Sequence, residues 1–240
     1  MRKRYLAELV GSFVIVFAPV ALSATSSLER GASGLLPAAL VSGLSVLAMI
    51  YTFGPISAAH FNPAVTLGFA AARRFPWRFV VPYVAAQFAG AVLAAGLVAL
   101  LFGGGHGVHV PSSDSVARNL GTEVVLAFVL MLVIIAVATD RRVSSTTPAI
   151  AIGLSVVFLV LIGGPVTGGS MNPARSFGPA IIAGGPALTH LWLYLVAPPI
   201  GAVLAALLFE ALRVHHDEAK GAPNELLDAL QSVQMESSRD

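Results

Sequence analysis

Six stretches of this sequence run almost free of charge for about the thickness of a lipid bilayer, and that leaves few folds open. They cover 6–24, 35–53, 79–102, 120–139, 148–162 and 188–209, interrupted only by Glu8 and Glu123. Crossing ~30 Å of hydrocarbon takes ~20 apolar residues in a helix. Lipid offers the backbone no water, so each run must satisfy its own peptide groups. The composition agrees: 11% of residues are charged, against about 25% in soluble domains. Two further apolar runs, 62–72 and 172–183, are half a span long, and both open on Asn-Pro-Ala.

Basic residues fix a predicted orientation. Arg2, Lys3 and Arg4, then Arg73, Arg74 and Arg78, then Arg141 and Arg142, then Arg213 and Lys220 fall on one side; the alternate connections hold only Arg30 and Arg118, apart from Arg175. By the positive-inside rule both termini are cytoplasmic, in a multi-pass protein of the plasma (inner) membrane. The first 24 residues, basic, then apolar, then small, imitate a signal peptide, but their apolar run is a full span, so cleavage is not expected. Lys and Arg total 14 against 12 acidic residues, which gives no case for nucleic-acid binding. With no cysteine, thiolate metal sites, thiol nucleophiles and attack by mercurials are excluded.

The chain also repeats itself. "GLSV" begins at Gly43 and Gly153 and "NPA" at Asn62 and Asn172, each pair 110 apart; "GAVLAA" begins at Gly90 and Gly201, 111 apart. "AELVGSFVIVF" from Ala7 resembles "TEVVLAFVLML" from Thr122. Each half holds three spans and one half-span. Three is odd, so the second half enters from the opposite side, an inverted-topology repeat. The expected organisation is one membrane domain over 1–212, with inverted repeats at about 4–102 and 118–212, and a cytoplasmic tail over 213–240. The tail reads as mostly disordered, with a short amphipathic helix from Pro223-Asn224 as the alternative.

Proline has a fixed φ near −65° and no N–H, which suits the first turn of a helix, and asparagine before it suits the N-cap. Asn62-Pro63-Ala64 and Asn172-Pro173-Ala174 therefore read as helix starts. Irregular backbone at membrane depth survives only where protein or water satisfies it, so the economical geometry is two re-entrant loops, each continuing as a half-helix. The pseudo-two-fold brings both starts together near the midplane, positive dipole ends facing. Such a place suits a neutral hydrogen-bonding solute and opposes cations. The Asn62 and Asn172 amides are placed to donate to a passing oxygen. A single Asn-Pro would read as ordinary capping; two at symmetric positions, each heading half a span, read as a pore.

"SAAHFNPAVTLG" from Ser57 and "GGSMNPARSFGPA" from Gly168, with "AELVGSF", "AIGLSVV" and Gln87-x-x-Gly90, resemble the major intrinsic protein family, the aquaporins and aquaglyceroporins, over residues 4 to about 212. The resemblance implies an all-α membrane protein of six tilted helices and two half-helices, assembled as a homotetramer with one pore per subunit. Ala58 stands where the family usually has glycine, a change expected to be tolerated as a small residue. The resemblance also gives Arg175 a role at the narrowest point, with Ser42, Val160 and Gly169. Strict water channels pair an aromatic residue with a histidine where this chain has Ser42 and Val160. A wide filter follows, apolar on one face with Arg175 as donor opposite. Ser176, Ala180 and Tyr194-Leu195 resemble the nodulin-like intrinsic proteins and their bacterial relatives. That group implies passage of metalloid hydroxides such as arsenous acid (arsenite), with glycerol, urea and some water.

Other polar residues have plainer readings. Glu8 and Glu123 sit at matching places and are read as acceptors for the backbone of the re-entrant loops, where unsatisfied groups cost several kcal/mol; the alternative is a proton relay. His60 is read as a brace of the first loop. His106 and His109 lie in "GGGHGVHVPSSD", read as a solvated loop rather than a metal site. No catalytic set, metal site or cofactor motif is recognised. Two other readings stand beside the wide solute channel: mainly a water channel, and a secondary active transporter built on inverted repeats.

Overall fold

The computed structural model describes residues 2–28, 34–139 and 147–212. The expected tail, with His215, His216 and Pro223, lies outside them, as do Arg30, Arg141, Arg142, Arg213 and Lys220.

Every regular element among the described residues is helical. The six long helices are α1 (Arg2–Leu28), α2 (Leu35–Ser57), α4 (Val80–Phe102), α5 (Val116–Thr139), α6 (Thr147–Thr167) and α9 (Leu191–Leu212), each long and apolar enough to cross a membrane. The half-spans form α3 (Pro63–Ala71) and α7 (Pro173–Ala183). A 3-10 turn at Trp77–Phe79 leads into α4, and a short helix, α8 (Gly185–Thr189), was not expected; it takes Leu188, so α9 starts later than the apolar run.

The helices outrun the apolar stretches for a physical reason. α2 and α6 continue through Pro55 and Pro165 to Ser57 and Thr167, where the next residue, Ala58 or Gly168, turns left-handed. Backbone conformation ends these helices, not polarity. At the other extreme, α1 begins in its cationic turn at Arg2.

The two halves pack alike. A Cβ on Gly90 of α4 would overlap the Leu9 carbonyl of α1, and one on Gly201 of α9 would overlap the Val124 carbonyl of α5. The repeated glycines thus let paired helices touch backbone to backbone, as membrane helices do where small residues meet. Leu100, Val81, Ile162 and Leu6 face outward, while Glu8, Glu123, Gln87 and Thr66 are fully buried. Lipid solvates the first set; only protein can satisfy the second.

Candidate functional site

Each re-entrant loop hangs from one carboxylate. In the first, Glu8 Oε1 accepts from Ser57 Oγ at 2.7 Å and the His60 N–H at 3.0 Å, and Oε2 from the Phe61 N–H at 2.7 Å and Gln87 Nε2 at 2.8 Å. In the second, Glu123 Oε1 accepts from Thr167 Oγ1 at 2.7 Å and the Ser170 N–H at 2.9 Å, and Oε2 from the Met171 N–H at 2.8 Å. Tyrosines brace both loops from the far side: Tyr83 donates to the Ser57 carbonyl at 2.9 Å and Tyr194 to that of Thr167 at 2.6 Å. Tyr83 and Tyr194 share the 111-residue offset of Gly90 and Gly201, a signal that would have paired them from sequence.

Pro63 and Pro173 open α3 and α7 with asparagine at both N-caps. Asn62 Oδ1 accepts from the Ala64 N–H at 2.8 Å; Asn172 Oδ1 accepts from those of Ala174 at 3.0 Å and Arg175 at 3.3 Å. The amide nitrogens cross between the halves, Asn62 Nδ2 donating to the Met171 carbonyl at 2.9 Å and Asn172 Nδ2 to that of Phe61 at 3.0 Å. The expected free amides are therefore half committed. One N–H of each ties the loops together, and the second remains for a solute.

A cavity of about 810 Å³ passes this junction. Its wall includes Pro19, Ser23 and Leu35 toward one end and Tyr51, Phe69 and Ala138 toward the other, with Asn62, Asn172, His60, Ser42, Val160, Gly169 and Arg175 between. Ser42 Oγ donates back to the Ala38 carbonyl at 2.8 Å, leaving its lone pairs for the lumen. His60 is buried, its Nδ1 3.2 Å from Thr66 Oγ1, and packs on Phe69, Phe75 and Tyr83.

Gly169 also has a packing role. At φ +65°, a Cβ there would approach Val160 Cα at 3.2 Å and the Gly164 nitrogen at 3.3 Å. The missing side chain lets the loop lie on α6, where Gly169 lines the cavity.

His109 corrects an expectation. The connection from Gly103 to Ser115 is not a solvated loop at that point. The Gly107 N–H donates to Ser23 Oγ of α1 at 3.1 Å, and the Ser112 N–H to the Val166 carbonyl of α6 at 2.9 Å. Arg175 Nη1 donates to the Gly107 carbonyl at 2.8 Å. His109 is 8% exposed, with Nδ1 2.8 Å from Ser176 Oγ, and it lines the cavity with Gly107 and Arg175. Burial and the neighbouring guanidinium push the imidazole well below its ordinary pKa, so it is neutral at pH 7. The space beside Arg175 thus has an imidazole on one side. Sequence spacing gave no hint of this, because the loop carries no apolar period that would bury it.

Two half-helices meeting head to head inside six membrane-length helices, along a lined cavity, define a class: integral multi-pass membrane proteins built as an inverted repeat around a pore. The chain belongs to the major intrinsic protein family, whose match covers residues 1–209. It is 44% identical to Aquaporin NIP1-1 of Oryza sativa subsp. japonica, over 88% of this chain and 74% of that protein. It is 41% identical to Nodulin-26 of Glycine max, over 88% of this chain and 78% of that one. Among solved structures, the aquaglyceroporin from Plasmodium falciparum has the same fold, with a TM-score of 0.80 at 24% identity, covering 88% of this chain and 96% of the other.

Proposed function

We propose that this chain is a passive channel whose filter favours small uncharged polyhydroxylated solutes, arsenous acid, glycerol and urea, and also passes water. It is a channel of the major intrinsic protein family and not an enzyme. The observation that carries the solute preference is the company Arg175 keeps. Ser42 and Val160, both small, line the same cavity, and no Phe, Tyr or Trp side chain stands on α2 or α6 at those places. Arg175 supplies donors fixed by the Gly107 carbonyl. Asn62 and Asn172 supply further donors where two helix N-termini meet, and that positive end disfavours cations. In this reading both termini are cytoplasmic, the membrane is the plasma membrane, the pore domain covers 1–212 with 213–240 as tail, and four copies assemble with one pore each.

The test is a solute panel in stopped-flow vesicle assays. Glycerol and arsenous acid enter far faster than into protein-free vesicles; control-level entry of every neutral solute refutes the reading. Ser42→Phe with Val160→His reduces glycerol flux more than water flux, and equal loss of both contradicts the filter assignment.

A further inference from the structure

The hydroxyls behind His109 fix where its proton sits. Ser170 Oγ lies 3.0 Å from the Asn172 carbonyl, which can only accept, so the single Ser170 hydroxyl hydrogen goes there. Ser170 Oγ also contacts Ser176 Oγ. With Ser170 spent as a donor, Ser176 donates to Ser170. Ser176 then has only lone pairs for His109 Nδ1, 2.8 Å away. In the neutral imidazole one nitrogen carries hydrogen and the other a lone pair. Nδ1 carries it. Nε2 is the acceptor; it has no partner among the described residues, it is not fully buried, and its side chain lines the cavity.

We propose that His109 Nε2 is a filter atom of this channel, a hydrogen-bond acceptor set beside Arg175 that receives a solute hydroxyl hydrogen while the guanidinium donates to a solute oxygen. Arg175 can only donate. Ser42 Oγ offers lone pairs from α2; an acceptor set directly beside the guanidinium favours solutes whose neighbouring hydroxyls both accept and donate. The inference rests on the channel reading above and adds a selectivity residue to it.

Protonation provides a handle. It turns Nε2 into a donor and places a second cation at the mouth. The groups facing the ring are few: Arg175 on α7, the Ser176 hydroxyl, and Tyr194 of α9, ring centroids 5.5 Å away. Arg175 is the charged group acting on it, and no carboxylate does. The nearest acid in the loop, Asp114, is exposed. The neutral form therefore persists below pH 6.5, and solute flux declines only as the outer medium becomes more acidic than that.

The experiment measures glycerol and water permeability of proteoliposomes from pH 8 to pH 4.5 for the wild type, His109→Asn and His109→Gln. Asparagine keeps a group at the Nδ1 position for Ser176 and removes the lumen acceptor. Glutamine keeps an acceptor at the Nε2 position and releases Ser176. His109→Asn lowers the glycerol-to-water ratio by about two- to tenfold, the worth of one net hydrogen bond, while its melting temperature in detergent stays near the wild type. His109→Gln holds the ratio, and both variants lose the acidic decline. An unchanged ratio in His109→Asn, or an acidic decline that survives in both variants, overturns the proposal while leaving the channel reading intact. A wild type that admits no solute but water overturns both.

Discussion

The two re-entrant loops share a frame and differ in what they place on it. Ser57 and Thr167, His60 and Ser170, Phe61 and Met171, Asn62 and Asn172 correspond at 110 residues, and their bonds to Glu8 and Glu123 match donor for donor. The departures lie elsewhere. Arg175 corresponds to Val65, which is buried. Gln87, which bonds both Glu8 and Thr66 Oγ1, corresponds to Pro198, which has no amide to offer. The hydroxyl matching Thr66 is Ser176, and its partner is His109, brought from an outside connection. The symmetric residues build the pore; the asymmetric ones give one end its chemistry.

The largest expected effect strikes the shared frame. Glu123→Ala strands two buried backbone N–H groups and a threonine hydroxyl; Glu8→Ala strands two backbone N–H groups, a serine hydroxyl and the Gln87 amide. Each buried donor left unmade costs about 1–3 kcal/mol, so either change removes much of a stability of ~5–15 kcal/mol. Both variants should lose their monodisperse peak in detergent, Glu8→Ala more completely. One variant that melts near the wild-type temperature would mean that the carboxylates are not equivalent braces.

How far this was legible follows the same division. Spans, half-spans and the inverted repeat were readable because lipid imposes length and the offset imposes symmetry. Glu8, Glu123, Asn62 and Asn172 stood out as polar residues in apolar runs. His109 did not, because an imidazole in a glycine-rich segment looks solvated until the fold lays that segment across Arg175. Gly169 was readable as small but not for its purpose, since which way a Cβ would point depends on a φ of +65°. α2 and α6 run on past their apolar stretches because backbone conformation, which composition does not report, ends them.

Arg175→Val makes the second half-helix resemble the first, with Val65 as its template. A cation about 8 Å from a guanidinium at an effective dielectric of 20 is repelled by ~2 kcal/mol. Proton or sodium leak into dye-loaded vesicles should therefore rise by about thirtyfold. An unchanged leak would shift cation exclusion from the asymmetric residue to the symmetric pair of helix N-termini.

The smallest effect concerns the turn where one loop has glycine and the other alanine. Both loops turn left-handed just past their helix, at Gly168 and Gly169 with φ of 90° and 65°, and at Ala58 and Ala59 with φ of 66° and 51°. An L-residue in that region costs roughly 1–2 kcal/mol that glycine does not pay, partly offset by the greater freedom of an unfolded glycine, about 0.4–1 kcal/mol. Ala58→Gly should thus stabilise by about 0.5–1 kcal/mol and raise the melting temperature by about 1–4 °C at this chain length. The reverse change, Gly168→Ala, is not its mirror image. A Cβ there would come within 2.5 Å of His109 Cδ2, so strain is joined by a clash with the imidazole, and the melting temperature should fall by more than Ala58→Gly raises it. Equal and opposite shifts would mean that backbone strain alone separates the loops, and that His109 yields when the second is crowded.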